Sequence, residues 1–168
     1  MDAELENKSD NIIQLKKDEN IKRFEIYDYD GNPTGEFLEF DLEDIELPIK
    51  IQEIIEEDKK ARTKFKFKID EIERRPDKKG KKLMSANEEA KIRATQEFYH
   101  EQVRLYNMFL GDNAVEKILC GRKITWTTLD AINGVIKNQI YPELKKSFKN
   151  IKDQIKEKYG EKKDDIIE

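Results

Sequence analysis

Two side chains of this sequence are of the types that could act together as a nucleophile and its base. They are His100 and Cys120, the single histidine and the single cysteine of the chain. A thiol becomes a strong nucleophile when a neighbouring base takes its proton. Each residue has a simpler explanation, because His100 lies on a helix face beside Glu101 and Cys120 is a small apolar residue near a helix end. We therefore predict no catalytic site.

A second candidate is a calcium loop, since Asp28, Asp30 and Asn32 are followed by Thr34. Oxygen ligands at alternate positions begin such a loop. The remainder of the pattern fails, because glycine stands at Gly31 instead of the sixth position and no helix precedes the loop. A hairpin turn accounts for these residues better.

The other common motifs are missing from the sequence. It contains neither GxGxxG nor GxxxxGK[ST], and it has no zinc-ligand spacing. A single histidine cannot supply a pair of histidine ligands, and carboxylates are so frequent that any one pair carries no information. We expect a non-enzymatic protein with no cofactor and no metal site.

Composition points to one helical domain without a membrane segment. The 168 residues are 36% apolar and 42% charged, and the net charge of −4 disfavours binding to nucleic acid. No apolar run approaches the roughly 20 residues of a membrane helix, and the N-terminus lacks the pattern of a signal peptide. One cysteine excludes an internal disulfide, which fits the cytoplasm. We expect a flexible arm over 1–20, one domain over 21–159 and a frayed tail over 160–168.

The only β-structure is expected at 21–41. Two runs, 21–29 and 35–41, alternate in polarity and flank the turn residues 30–34. A lone hairpin is marginal in water, so its apolar face must lie on helices. The residues that share this face are Phe24, Ile26, Leu38 and Phe40.

Helices should account for the remainder of the domain. A capping box is predicted for Ser85 with Glu88, and similar caps for Asn113 with Glu116 and for Thr127 with Asp130. The fold class is α+β, mainly α, with an N-terminal β-hairpin packed on a bundle of about four helices. These helices are expected at about 48–75, 85–110, 113–119 and 127–158, the last with a kink or break near 142 because of Pro142.

The first of these helices should be only partly buried. At ~1.5 Å per residue it would be ~42 Å long, which exceeds what one small domain can cover. Its apolar stripe is interrupted over 56–64 (EEDKKARTK), so this stretch should face solvent or a partner. The basic loop 76–82 (PDKKGKK) is best explained as a solvated connection, with contact to a phosphate or an acidic partner as the alternative.

Two segments carry a resemblance to a known family. They are IYDYDGNPTGEFLEFDLEDIELPIKIQEI and FLGDNAVEKILCGRKITWTTLDAI, at 26–54 and 109–132. Together they resemble the tail assembly chaperones encoded beside tail genes in phages and prophages of Gram-positive bacteria. The resemblance spans roughly 21–144 and implies an N-terminal β-element before a helical bundle.

The resemblance implies a binding function in the host cytoplasm. Such chaperones bind and shield the long helical tape measure protein before the tail tube polymerises around it. The alternative is a structural component of the phage tail or baseplate. The expected partners are therefore the tape measure protein or another tail protein, with self-association as a further expectation, and neither nucleic acid nor a membrane.

Apolar side chains left over after the bundle closes are the candidates for partner contact. Phe65 and Phe67 lie two residues apart, so a helix cannot point both at one core. Trp126 is expected in a loop before a helix, where a core position is the favoured alternative. The full set of protein-interaction candidates is Phe65, Phe67, Trp126, Phe148, Ile151 and Ile155.

Overall fold

The computed structural model describes residues 20–160, which form a β-hairpin followed by helices. The strands are β1 (Ile21–Tyr27) and β2 (Pro33–Asp41). The helices are α1 (Leu47–Glu73), α2 (Ala86–Leu110), α3 (Ala114–Leu119), α4 (Trp126–Val135) and α5 (Tyr141–Tyr159). This confirms the predicted α+β, mainly α fold. The predicted N-terminal segment (1–20) and the predicted tail (160–168) lie almost wholly outside the described residues.

The hairpin turn is organised by Asp28. Its Oδ1 accepts the backbone N–H groups of Asp30 at 2.9 Å and Asn32 at 2.8 Å. These bonds to the charged carboxylate lower the pKa of Asp28, with the Asn32 N–H as the main cause. Gly31 has a φ of +80°, which glycine adopts without steric cost. The oxygens that resemble a calcium loop therefore serve the turn.

One face of the hairpin lies on the core, as its alternation predicts. Phe24 is paired opposite Leu38, and its ring meets Phe40 edge-on at 5.9 Å between centroids. Packing against helices removes this face from water and stabilises the two-stranded sheet. The buried side chains of this core are Ile26, Leu38, Phe40, Leu47, Ile51, Leu110, Ala114, Val115, Leu119, Ile132, Ile140 and Leu144.

Helices α1 and α2 begin where the sequence signals indicate. Pro48 lies in the first turn of α1, where its missing N–H leaves no hydrogen bond broken. The predicted capping box of α2 is present, because Ser85 Oγ accepts the Glu88 N–H and Glu88 Oε2 accepts the Ser85 N–H. The two helices run antiparallel, which follows from their short connection.

The caps predicted for α3 and α4 are wrong. Asn113 has a left-handed backbone and makes no side-chain cap, because the N–H of Val115 is instead bound by Asn107 from α2 at 2.9 Å. Helix α4 begins at Trp126 and is capped by Thr125 with Thr128. Thr125 has the extended backbone that an N-cap requires.

Pro142 is accommodated by a π-helical turn. Residues Ile136–Ile140 join α4 to α5 in π geometry, and the N–H of Tyr141 donates to the carbonyl of Ile136. The wide turn places Pro142 in the first turn of α5, where the missing N–H is tolerated. Helix α5 is anchored to the hairpin because Ser147 Oγ donates to the carbonyl of Leu42.

Candidate partner-binding surface

Helices α1 and α2 extend together away from the core. Leu47 and Ile51 on α1 and Leu110 on α2 join the core at one end, while Ile72 is buried at the far end of α1. We call residues 52–102 the arm. Within the arm the two helices pack mainly on each other, so the exposed fraction of each helix is large. Such a thin layer needs specific contacts between the helices to hold their register.

A buried polar network supplies the first of these contacts. Gln102 is 2% exposed, and its Nε2 donates to Asp58 Oδ1 at 2.8 Å. Arg62 donates to Asp58 Oδ2 at 2.8 Å and to Gln102 Oε1 at 3.3 Å, which closes the network. The Asp58 hydrogen bond also raises the pKa of Arg62. Because buried polar groups are costly when unpaired, the network specifies one alignment of α1 on α2.

An aromatic cluster supplies the second contact. The rings of Phe65 and Phe98 stack with centroids 4.6 Å apart. Trp126 lies 5.7 Å from Phe98 and meets Tyr99 edge-on at 5.2 Å, which joins the start of α4 to the arm. The Trp126 backbone N–H donates to the Tyr99 hydroxyl, whose pKa is nevertheless raised because burial is the larger effect.

Two of the predicted candidate residues therefore meet in one cluster. Phe65 is half-buried, and Trp126 remains 47% exposed within 6.2 Å of its ring. The expectation that Trp126 precedes the helix is wrong, since it is the first residue of α4. Its ring contacts both members of the aromatic pair and does not line the groove described next.

The opposite side of the arm carries an open groove of about 490 Å³. Its floor is formed by two small and two aromatic residues, Ala61, Phe65, Ala94 and Phe98. The α1 bank is mainly cationic, with three lysines and one carboxylate, and the α2 bank is mainly anionic, with two carboxylates and one arginine. The bank residues are Glu57, Lys60, Lys64, Lys68, Glu97, Glu101 and Arg104.

Ion pairs cross the groove at both of its ends. Lys68 lies 2.5 Å from Glu97, while Arg104 contacts Glu101 at 2.7 Å and Glu57 at 2.5 Å. Hydrogen bonds from these cations lower the pKa of Glu97 and Glu101. The hydrogen bonds that Arg104 donates to Glu101 and Glu57 raise the pKa of Arg104.

The middle of the α1 bank carries lysines that form no ion pair, although Lys64 contributes to the lowered pKa values of Glu97 and Glu101. Within residues 20–160, neither Lys60 nor Lys64 has a carboxylate within ion-pair distance. Both lysines are exposed on the same face of α1, four residues apart. The groove therefore offers an apolar floor with a free cationic edge.

The remaining candidate residues lie elsewhere. Phe67 is 69% exposed on the outer face of α1, away from the groove. Phe148 packs partly buried against the core, and Ile151 is buried, whereas Ile155 is half exposed. The apolar stripe of α5 is thus largely turned inward and does not form one open surface.

No hydrogen bond within residues 20–160 joins His100 to Cys120. His100 is exposed on α2, and Cys120 is an exposed thiol whose Sγ donates to the carbonyl of Lys117 at 3.2 Å. In the part of the chain that the structure describes, no three metal-ligating side chains come together. Nor does any helix among these residues have the length and apolarity needed to span a bilayer.

Sequence reasoning missed the groove itself. Ala61 was visible only as an interruption of an apolar stripe, and Ala94 as an unremarked small residue. The available signal was the spacing 57, 60, 61, 64 and 68, which shares one helix face. That face can be identified as one wall of a groove only when the register of α2 against α1 is known.

Comparison with known proteins adds no assignment. No protein-family model, no curated protein and no solved structure matches this chain. The geometry of the arm and the residues that line its groove are therefore the basis on which a function is proposed.

Proposed function

We propose that this protein is a non-enzymatic binding protein that captures an amphipathic helix of a partner in the groove of the arm. The observation that carries the proposal is the open groove, with an apolar floor between a mainly cationic bank and a mainly anionic bank. A helix laid in such a groove buries its apolar face and keeps its polar faces wet. Ala61 and Ala94 leave room for its backbone to approach closely.

The charges of the banks define what the partner helix should carry. Lys60 and Lys64 favour carboxylates along one edge of that helix, since opposite charges steer and orient association. The carboxylate bank at Glu97 and Glu101 favours lysine or arginine along the other edge. A partner with this pattern is a charged amphipathic helix of ordinary composition.

In its specific form, the proposal is a tail assembly chaperone of a phage or prophage. The partner is then the tape measure protein, whose long helices repeat apolar stripes that need reversible shielding before the tail tube polymerises. Several copies bound along one chain would gain avidity without tight individual contacts. The sequence resemblance of 26–54 and 109–132 supports this form, and the site of action would be the host cytoplasm.

The alternative is a structural component of the tail or baseplate. Large apolar side chains exposed away from the groove, including Ile45 at 66% and Leu83 at 90%, favour permanent association with other subunits. A structural component would be present in purified particles, and a chaperone would be absent from them.

A pull-down with groove-filling variants tests the binding proposal. The chain is co-expressed with the longest helical protein encoded by neighbouring genes and recovered through a tag. Ala61→Phe fills the floor of the groove and should reduce capture at least about tenfold, a modest change in binding free energy. Thr63→Phe adds similar bulk on the outer face of α1 and should leave capture unchanged.

Three results would contradict the proposal in different ways. Equal capture by both variants would place binding outside the groove. If the wild-type chain captured nothing, the helical protein tested would be excluded as its partner. Recovery of the protein from mature particles would favour the structural alternative over the chaperone. Trp126 fluorescence and circular dichroism check that both variants keep the fold.

A further inference from the structure

The tip of the arm, where α1 connects to α2, combines exposed apolar and cationic side chains. Leu83 is 90% exposed and Ile92 on α2 is 48% exposed. With Met84 they line a cleft of about 480 Å³. We call these three residues and the lysines of the preceding loop the tip patch. The lysines are Lys78, Lys79, Lys81 and Lys82.

The positive charge of the tip patch is only weakly compensated, because Lys82 lowers the pKa of Glu89 in the same cleft without pairing with it. None of its four lysines forms an ion pair within residues 20–160. The nearby carboxylates are already engaged, because Glu89 pairs with Arg93 and Glu88 completes the capping box of Ser85. The patch is therefore a concave apolar site with a free basic rim.

The opposite end of α1 carries the complementary combination. Ile45 is 66% exposed and Ile49 is 63% exposed, four residues apart at the start of α1. Around them lie four exposed carboxylates that form no ion pair within the described residues. We call this set the acidic patch, with Asp41, Glu43, Asp44 and Glu46 as its charged members.

The two patches cannot meet within one molecule. They lie at opposite ends of α1, which at ~1.5 Å per residue over its 27 residues spans ~40 Å. A contact between them therefore joins two copies. Because it uses different surfaces on the two copies, it is heterologous, and one copy keeps a free tip patch while the other keeps a free acidic patch.

We infer that this chain self-associates head to tail, with the acidic patch of one copy seated on the tip patch of the next. Ile45 of one copy enters the cleft between Leu83 and Ile92 of its neighbour. Glu43 and Glu46 face the loop lysines across the same contact. Their side chains make no hydrogen bond within the described residues, so they are free to pair.

The shape and charge of the tip favour a protein over an anionic bilayer. A bilayer receives a convex apolar protrusion, whereas Leu83, Met84 and Ile92 line a cleft that takes a side chain. The matching acidic and apolar group is present on the chain itself. The contact does not involve the groove, so the inference does not depend on the proposed function.

Charge reversal at one end at a time tests the contact. The variants are Lys81→Glu/Lys82→Glu at the tip patch and Glu43→Lys/Glu46→Lys at the acidic patch. Each should weaken self-association at least about tenfold in sedimentation and light scattering at low salt, since like charges then face each other. Lys152→Glu/Lys156→Glu makes the same charge change on exposed positions of α5 and should have no effect.

Mixing the two variants is the decisive step. The intact patches of the two variants match each other, and so do their reversed patches. The mixture should therefore regain growth into longer species, as the wild-type chain shows with concentration, while neither variant grows alone. A chain that carries both reversals should recover self-association, because the charges again match. Ala61→Phe should self-associate as the wild type does.

Several outcomes would overturn the inference. A wild-type chain that stays monomeric at low salt has no such contact. Self-association unchanged in both reversal variants uses another surface. Loss at the tip patch alone indicates an acidic surface other than this acidic patch. Binding of the tip patch to vesicles of anionic lipid, without self-association, assigns the tip to a bilayer.

Discussion

The core end of the molecule and the arm are stabilised by different means. Around Val115, Ile140 and Leu144, side chains are fully buried between the hairpin and several helices. In the arm, two helices meet through a polar network centred on Gln102, an aromatic stack and ion pairs such as Lys68 with Glu97, and Ile72 is buried near the tip. The core end is closed on every side, whereas each helix of the arm keeps an uncovered face.

This difference shows where binding can occur without unfolding. The buried side chains of the core are inaccessible to a partner and serve the stability of the domain, whereas Ile45 and Ile49 beside them stay exposed. The arm is held by contacts that fix register and leave the groove open. Stability and binding are therefore separated along the length of α1.

Truncation in the core should have the largest effect on stability. Leu144→Ala removes a fully buried side chain, and we expect a loss of about 2–5 kcal/mol in the free energy of unfolding. Denaturant titration measures this change. Ile155→Ala on the exposed side of α5 should cost less than about 0.5 kcal/mol. Equal effects of the two changes would show that the core end is not closed as described.

Breaking the polar network should loosen the arm in particular. Gln102→Ala leaves Asp58 and Arg62 without their buried partner, and we expect a loss of about 1–3 kcal/mol. Hydrogen exchange should accelerate in the arm more than in α3 and α5. Gln96→Ala, an exposed position of the same helix, is the matched control. Uniform acceleration across the chain would contradict separate stabilisation of the two regions.

Removal of the α2 cap should cost less. Ser85→Ala loses the hydroxyl that accepts the Glu88 N–H, and helix caps of this kind contribute about 1 kcal/mol. Thermal unfolding followed by circular dichroism gives the change in stability. Ser85→Thr keeps a hydroxyl that can accept the Glu88 N–H and donate to Asp77, and should retain most of the stability. Identical losses in both variants would assign the effect to packing.

Lowering the pH should change the stability less than any of the substitutions above. The pKa values of Glu97 and Glu101 are lowered from 4.5 in the fold by Lys68 and Arg104. Their pairs therefore stabilise the arm above the ordinary glutamate pKa, and this contribution is lost as the pH falls through the lowered values. Emission from Trp126, the only tryptophan, reports the change. Glu97→Gln/Glu101→Gln should reduce that pH dependence, and an unchanged acid transition would exclude these pairs as its cause.

The elements that local signals determine were predicted well. The Asp30-Gly31 turn, the Ser85–Glu88 capping box and the alternation of the hairpin each act within a few residues, so the sequence suffices to identify them. The hairpin and the long helices follow directly from these signals. Their burial against each other follows from the single apolar face of the hairpin.

The features that depend on tertiary contact were not predicted. By sequence, both Thr125 and Thr127 could cap α4. In the structure the cap is Thr125, and Trp126, the residue after it, packs on Phe98 and Tyr99. The π turn before Pro142 and the groove likewise depend on how helices meet. The predicted interaction residues therefore lie in different places, since Phe65 lines the groove and Ile151 is buried in the core.

Hydrogen exchange of the chain with and without its captured helical partner shows whether the groove is the binding site. If the groove is the binding site, slowed exchange should be concentrated in residues 57–68 of α1 and 94–104 of α2, with little change in α5. The same experiment on Thr63→Phe should give the same pattern. Protection concentrated in α5 or the hairpin, with the arm unchanged, would contradict the assignment of binding to the groove.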